Sequence, residues 1–261
     1  MAKKQRIDQT LVSVGLANDL EEANRLVMAG KVLYLGQLVF QSSQQINDPD
    51  GVTLVPDKRY VSRGGEKLEA AFIQFPIDVK GKICADIGAS SGGFTDCMLQ
   101  HGAKKVYAID VGYGILEWVL RNDPRVEVLE RTNARHLEEL PETVDFITAD
   151  VSFISLKKVL TPANKWFSEG GGQALVLIKP QFEATREESA KGEGVIHDPA
   201  IHQRILIDIL TFAAAHNYSP EGLIRSPLVG PAGNEEFLAW FIYPGDGGGQ
   251  DKISGMVSSL F

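Results

Sequence analysis

Short apolar runs and longer amphipathic stretches alternate along most of this chain. From residue 82 the alternation is regular. It predicts strands at 82–87, 104–110, 126–130, 144–149 and 173–178, with helices near 114–121, at 155–167 and at 199–216. Runs such as Val106 to Ile109 are apolar at every position, which suits a strand buried on both faces. Two more strands, near 222–227 and 236–243, follow with no helix between them, so one of the pair is expected to run antiparallel. Strands alternating with helices predict a parallel sheet covered on both faces. Ahead of this region, Ile7, Leu11 and Val14 recur at helical spacing up to Gly15. A second helix opens at Asp19, with Glu22 placed as in a capping box, and closes at Gly30. "KVLYLGQLVF" and "GVTLV" add three short strands. The pattern divides into a small α+β module at 1–58, a linker at 59–66, an α/β domain at 67–245 and a loose tail at 246–261.

Composition narrows the class. The 261 residues are 44% apolar and 23% charged, ordinary for soluble globular protein. Cys84 falls in a strand and Cys97 in a helix, both as packing residues, and no Cys/His spacing suggests a metal. The opening "MAKKQRIDQTL" has no apolar signal region, and "ILIDILTFAAA" is broken by Asp208 and too short to span a bilayer. A cytoplasmic protein without a membrane partner is expected. The net charge of −8 argues against general nucleic-acid binding. Its distribution softens that: residues 1–67 carry 9 Lys/Arg against 8 Asp/Glu, and the remainder 17 against 26. Oligomeric state leaves no mark in the sequence.

The small module carries Lys3, Lys4, Arg6, Arg25 and Lys31 on or beside its two helices. Its Arg6, Asp8, Leu11, Ala23, Arg25, Gly30, Val32 and Gly36 resemble the S4 domain, an RNA-binding module. That resemblance implies a basic helical face for structured RNA, where phosphate contacts supply affinity and register. Arg59 and Arg63 in the linker extend this basic set.

In the larger domain, polar residues gather at the carboxyl ends of the strands, where open parallel sheets bind ligands. "DIGASSGGF" (86–94) lacks the G-x-G-x-x-G spacing of a dinucleotide site. It resembles motif I of class I methyltransferases, which implies a Rossmann-like, seven-stranded α/β fold with one antiparallel strand, binding S-adenosyl-L-methionine. On that resemblance Gly88, Ser90, Gly92, Gly93 and Phe94 form the turn beneath the cofactor. Asp110 faces its ribose, Asp86 its methionine ammonium and Asn133 its adenine, and Asp150 borders the same site. "ADVSFIS" has no Pro-Pro, unlike adenine amino-methylating enzymes, and no cysteine for C5 chemistry lies nearby.

Four charged residues on four elements remain: Lys67, Asp150, Lys179 and Glu236. Lysine is an unusual close to a buried strand such as "ALVLI", which singles out Lys179. The set resembles that of FtsJ-type ribose 2′-O-methyltransferases. "SRGGEKL", "DIGASSGGFTD", "ADVSFISL", "LIKPQFE" and "GPAGNEEF" resemble the TlyA family, named haemolysins, nearly end to end. The resemblance implies 2′-O-methylation of ribosomal RNA at a cytidine of the small or large subunit, without a metal. Lys179 is then the base, Lys67 its electrostatic neighbour, and Asp150 and Glu236 (rather than Glu235) orient them. A non-catalytic ribosome-assembly factor and a membrane-lytic protein are the competing expectations, the second lacking a membrane-seeking segment. The polar loop 182–198 is expected to close over RNA, with His197 on its surface.

Overall fold

The computed structural model describes residues 4–55 and 59–261. The chain divides into two compact units, Met1–Lys58 and Arg59–Phe261. In the first, β1 (Gln5–Arg6) leads into α1 (Ile7–Ser13), and α2 (Leu20–Met28) follows. The Asp19 carboxylate accepts from Glu22 N, while the Glu22 carboxylate reaches back one residue further, to Asn18 N. β2 (Val32–Tyr34) pairs with β3 (Gln37–Leu38) and β5 (Val52–Leu54), and β4 (Gln45–Ile46) pairs with β1. Ile7, Leu11, Ala23, Val27, Val32 and Val52 form the core of this unit.

The second unit opens with α3 (Gly64–Gln74) and β6 (Ile83–Ile87), then α4 (Gly93–Gln100) and β7 (Lys105–Ile109). Next come α5 (Trp118–Arg121), β8 (Val126–Leu129), β9 (Phe146–Ala149), α6 (Lys157–Ala163) and β10 (Gly172–Ile178). Two short helices, α7 (Pro180–Glu183) and α8 (Arg186–Lys191), precede α9 (Pro199–Ala214). The chain closes with β11 (Ser219–Arg225), β12 (Phe237–Tyr243) and α10 (Gly249–Ser258). The seven strands are ordered β11-β12-β10-β9-β6-β7-β8, and β12 alone runs against its neighbours. It lies between β10 and β11 rather than at the edge.

Period-two alternation divides the strand residues between two cores. Ala85, Ile87, Ile147, Val176 and Phe241 pack under α6, α9 and α10, whereas Cys84, Val106, Phe146, Leu175 and Trp240 pack under α3 and α4. Both cysteines are buried and free.

Three sequence expectations change. The helix expected near 114–121 shrinks to the four residues of α5, because the Gly112 and Gly114 loop ahead of it is irregular. The expected linker at 59–66 is folded into the second unit. Tyr60 is buried and donates to the Glu69 carboxylate (2.8 Å), and Val61 N donates to Asp96 (2.8 Å). A Cβ at Gly65 would lie 2.2 Å from the Tyr60 ring, so the glycine pair lets this strap close onto α3. The tail at 246–261 holds a helix, since its Gly and Ser residues mask an apolar set of Ile253, Met256, Val257 and Leu260 at helical spacing. Ile253 and Val257 are buried against the sheet-covering layer. Ile253→Ala is therefore expected to cost about 2–5 kcal/mol, seen in urea titration as a lower midpoint at an unchanged m-value; a midpoint equal to wild type would show that α10 is not part of the cooperative unit.

Candidate active site

The strand order reverses direction beside β6, whose neighbours are β7 on one side and β9 on the other. At such a switch point the loops leaving adjacent strands part and leave a crevice. Here the turn after β6 is pinned to the end of β7. Gly88 N and Ala89 N both donate to Ile109 O, and Gly88 has φ +81°. A Cβ on Gly88 would stand 2.5 Å from the Asp150 carbonyl oxygen, so only glycine lets the turn cross the end of β9 this closely. Ser90, at φ +50°, follows in the same turn. Gly92 caps α4 and Gly93 opens it.

Two clefts meet along this turn. The larger, about 710 Å³, is lined by Arg63, Lys67, Phe94, Lys179, Gln181 and Glu236 among others. The second, about 500 Å³, is lined by Asp110, Ile115, Asn133 and Val151 among others. Gly88, Ser90, Asp150, Ser152 and Phe153 belong to both. The Asp110 carboxylate accepts from Ser90 N (2.8 Å) and Gly112 N (2.7 Å), which fixes its position and leaves it lone pairs to spare. Asn133 lines the second cleft and also caps the turn after it, accepting from Arg135 N (3.1 Å).

In the larger cleft the four charged residues form two ion pairs. Lys67 Nζ lies 2.5 Å from Glu236 Oε2, with the carboxylate almost wholly buried. Lys179 Nζ lies 2.5 Å from Asp150 Oδ1 and donates to Ser152 Oγ (3.0 Å). Gln181 Nε2 stands 3.5 Å from the other Glu236 oxygen. Glu235 instead points away to pair with Arg225. Lys67 comes from the fourth position of α3, Asp150 from the end of β9, Lys179 from the end of β10, and Glu236 from just before β12. The antiparallel placement of β12 beside β10 brings the last two together.

Asp86 departs from expectation. Its carboxylate is fully buried, accepting from Thr95 Oγ1 (2.7 Å) and Thr148 Oγ1 (2.9 Å), and it lines neither cleft. Its side chain turns into the layer under α4 and ties that helix to β9. Burial pushes its pKa up to about 6, against the lowering effect of the two hydroxyls.

The expected RNA residues do not share one environment. Lys4 and Arg6 line a polar hollow of about 460 Å³ on the first unit, though the Arg6 guanidinium is engaged by the buried Asp8 (2.6 Å). Arg25 pairs with Glu21 (3.5 Å), both exposed, and Lys31 lies exposed just past α2. Arg59 pairs with Glu69 (2.7 Å), whereas Arg63 lines the larger cleft. Lys3 lies outside the described residues. Glu69 also receives His101 (2.6 Å) and faces Cys97, a cluster no sequence spacing revealed; it serves to fasten the 59–63 strap.

Sequence reasoning missed Phe153 and Asn234. Phe153 is 91% exposed at φ +62°, stands at the junction of the clefts and packs on Phe182 (ring centroids 4.9 Å). A bulky aromatic in left-handed backbone is strained, and such strain concentrates at functional sites. Its signal was its place, four residues past a strand end. Asn234 is buried, accepting from Ile196 N (2.9 Å) and donating to Gly194 O (3.0 Å), so part of the 182–198 loop is already fastened over the cleft. His197 is exposed.

The glycine turn at the switch point, the acid after the next strand and the paired charges all lie within residues 60–243, which the model of FtsJ-like methyltransferases matches. A Bacillus subtilis protein, provisionally named rRNA methyltransferase YqxC, is 46% identical over 250 residues, covering 94% of this chain and 88% of its own. The Mycobacterium tuberculosis protein named 16S/23S rRNA (cytidine-2′-O)-methyltransferase TlyA is 43% identical over 244 residues, covering 92% of this chain and 90% of its own. A solved structure from Streptococcus thermophilus, provisionally titled a hemolysin, superposes with TM-score 0.73 at 40% identity over 99% of this chain and 96% of that one. The chain belongs to the TlyA family of FtsJ-like methyltransferases.

Because its native pKa lies above the usual aspartate value, Asp86 favours the folded state below about pH 4, and that contribution is lost as pH rises to about 6. Asp86→Asn should flatten the stability curve across this window, measured by urea unfolding at stepped pH; an unchanged slope would mean the carboxyl titrates normally in the fold.

Proposed function

We propose that this enzyme transfers the methyl group of S-adenosyl-L-methionine to the 2′-hydroxyl of a cytidine in ribosomal RNA, with its first unit acting as an S4-type RNA anchor. The observation that carries this reading is the pair of lysine–carboxylate bridges, Lys67–Glu236 and Lys179–Asp150, facing one cleft beside the glycine turn. The Mycobacterium relative, named for cytidine 2′-O-methylation of 16S/23S rRNA, suggests the nucleotide and the RNA.

The second cleft suits this cofactor. The spare lone pairs of Asp110 match a pair of ribose hydroxyls, Asn133 offers an amide, and Ile115 and Val151 give apolar walls. S-adenosylmethionine supplies a methyl group on a sulfonium, which leaves as a neutral thioether when that methyl moves. The remaining work belongs to the protein. A ribose 2′-hydroxyl is a weak nucleophile, so holding its oxygen in line with the methyl is the larger effect, able to supply ~7–11 kcal/mol. Phe153, exposed where the clefts join, is suited to hold the target nucleotide there. As the O–C bond forms, the hydroxyl proton passes to Lys179 Nζ, which must first have released to solvent the ammonium proton of its ion pair with Asp150. Asp150 and Ser152 hold that amine in place and stabilise the ammonium the transfer creates. Lys67, tied to Glu236 and lining the same cleft, contributes a positive charge that favours the developing oxyanion. No step needs a metal, since no phosphoryl charge develops.

The reading is tested with ribosomal subunits lacking the modification, incubated with methyl-labelled cofactor. Wild type should deposit label that resists alkaline hydrolysis. Lys179→Ala should slow transfer by ~10²-fold or more while cofactor affinity, measured by calorimetry, holds. Full turnover by the variant would remove Lys179 as the base. Cofactor binding with no label on any ribosomal RNA would favour the assembly-factor reading.

A further inference from the structure

The segment following β7 exposes an apolar surface that extends beyond the site described above. Val111, Tyr113, Ile115, Trp118 and Val119 are between 51% and 73% exposed, five large side chains within nine residues. Clustered exposure of this kind marks an interaction surface. The segment is firmly held from below. Leu116 and Leu120 are buried, and Gly114 N donates to the Glu130 carboxylate (2.8 Å), which also pairs with Arg121. Arg131 N donates to Gly112 O (3.0 Å), and its guanidinium lies 4.2 Å above the Tyr113 ring. Val111 and Ile115 also wall the second cleft, so the surface runs continuously into the site of methyl transfer.

We propose that this face is a second RNA-contact surface, on which unstacked nucleotides flanking the target lie against Trp118 and Tyr113. It rests on the proposed RNA substrate. Three observations choose RNA over other occupants. An arginine already stacked on a tyrosine is the pairing that holds splayed bases and their phosphates. Residues 111–136 carry four arginines and no lysine against four acids, leaving this edge neutral on a chain of net charge −8. Two of those arginines, Arg121 and Arg125, are matched to Glu130 and Asp123, which leaves Arg131 and Arg135 at the surface to meet phosphates. A lipid surface would call for a long amphipathic helix, and α5 has four residues.

Trp118 makes the test direct, because the other two tryptophans, Trp166 and Trp240, are buried. Isolated 16S and 23S ribosomal RNA should quench the fluorescence of the full-length protein, and Trp118→Phe should abolish the quench. Trp118→Ala and Arg131→Ala should each raise KM for ribosomal subunits by about 10-fold, the scale of one base–aromatic stack. The effect should fall on KM rather than kcat, without loss of cofactor affinity. Arg131→Ala should also lower the salt slope of RNA binding by about 1. Wild-type methylation with KM unmoved in both variants would overturn the proposal. So would quenching by phosphatidylglycerol vesicles but not by RNA, or a concentration-dependent self-association that Trp118→Ala removes while KM is unmoved. A wild-type protein that methylates no ribosomal RNA would instead sink the parent reading, a separate outcome.

Discussion

The buried bridge between Lys67 and Glu236 is the constraint on which the site depends. Its two ends are 169 residues apart, and both side chains are shielded from water. Burying either charge alone would be prohibitive, and burying both is tolerable only with close contact and further hydrogen bonding. Glu236 therefore needs Lys67 on one oxygen and takes the amide of Gln181 near the other. Lys67 in turn needs α3 at its present position, which the 59–63 strap fixes by seating Tyr60 against Gly65. The start of the second unit and its last strand are thus bound together through the larger cleft, and the first turn of α3 lines that cleft as well as packing on the sheet.

The switch point beside β6 imposes the second constraint. A turn that must cross the end of β9 at van der Waals distance has no room for a side chain at residue 88. That crossing puts Gly88, Ser90, Asp150 and Ser152 on the border of both clefts. On the proposed reading, a methyl donor in one and an acceptor in the other need no moving part to meet. Phe153 stands at the same border in a backbone conformation that aromatics avoid. Glu183 secures the segment that holds it, accepting from Leu156 N at 2.7 Å.

Electrostatics reconcile a net charge of −8 with the proposed RNA substrate. Much of its positive charge is spent internally, as in Arg6–Asp8, Arg59–Glu69 and Lys157–Asp208. Attraction to RNA must then come from local placements and from stacking, which net charge does not report.

Hydrophobic period and glycine placement determined a good deal on their own. Most strands of the large sheet were legible from their apolar runs, because burial on both faces leaves few other compositions open, whereas β11, expected near 222–227, starts at Ser219 and runs through Pro220 and Glu221. Lys179 was conspicuous because a cation seldom ends such a run. The tertiary structure decided the rest. Asp86 and Asp110 both close apolar runs, yet Asp86 lies inside β6 opposite Ala108 and turns under a helix, while Asp110 follows the end of β7 and turns into a cleft, a strand boundary that local pattern does not carry. The tail read as loose because four apolar residues among glycines and serines form a helix only when α9 and the sheet supply the surface to cover it. The pairing of Lys67 with Glu236 lay beyond any local reading, because it requires β12 to be inserted antiparallel between β10 and β11, a choice made by the packing of the whole sheet.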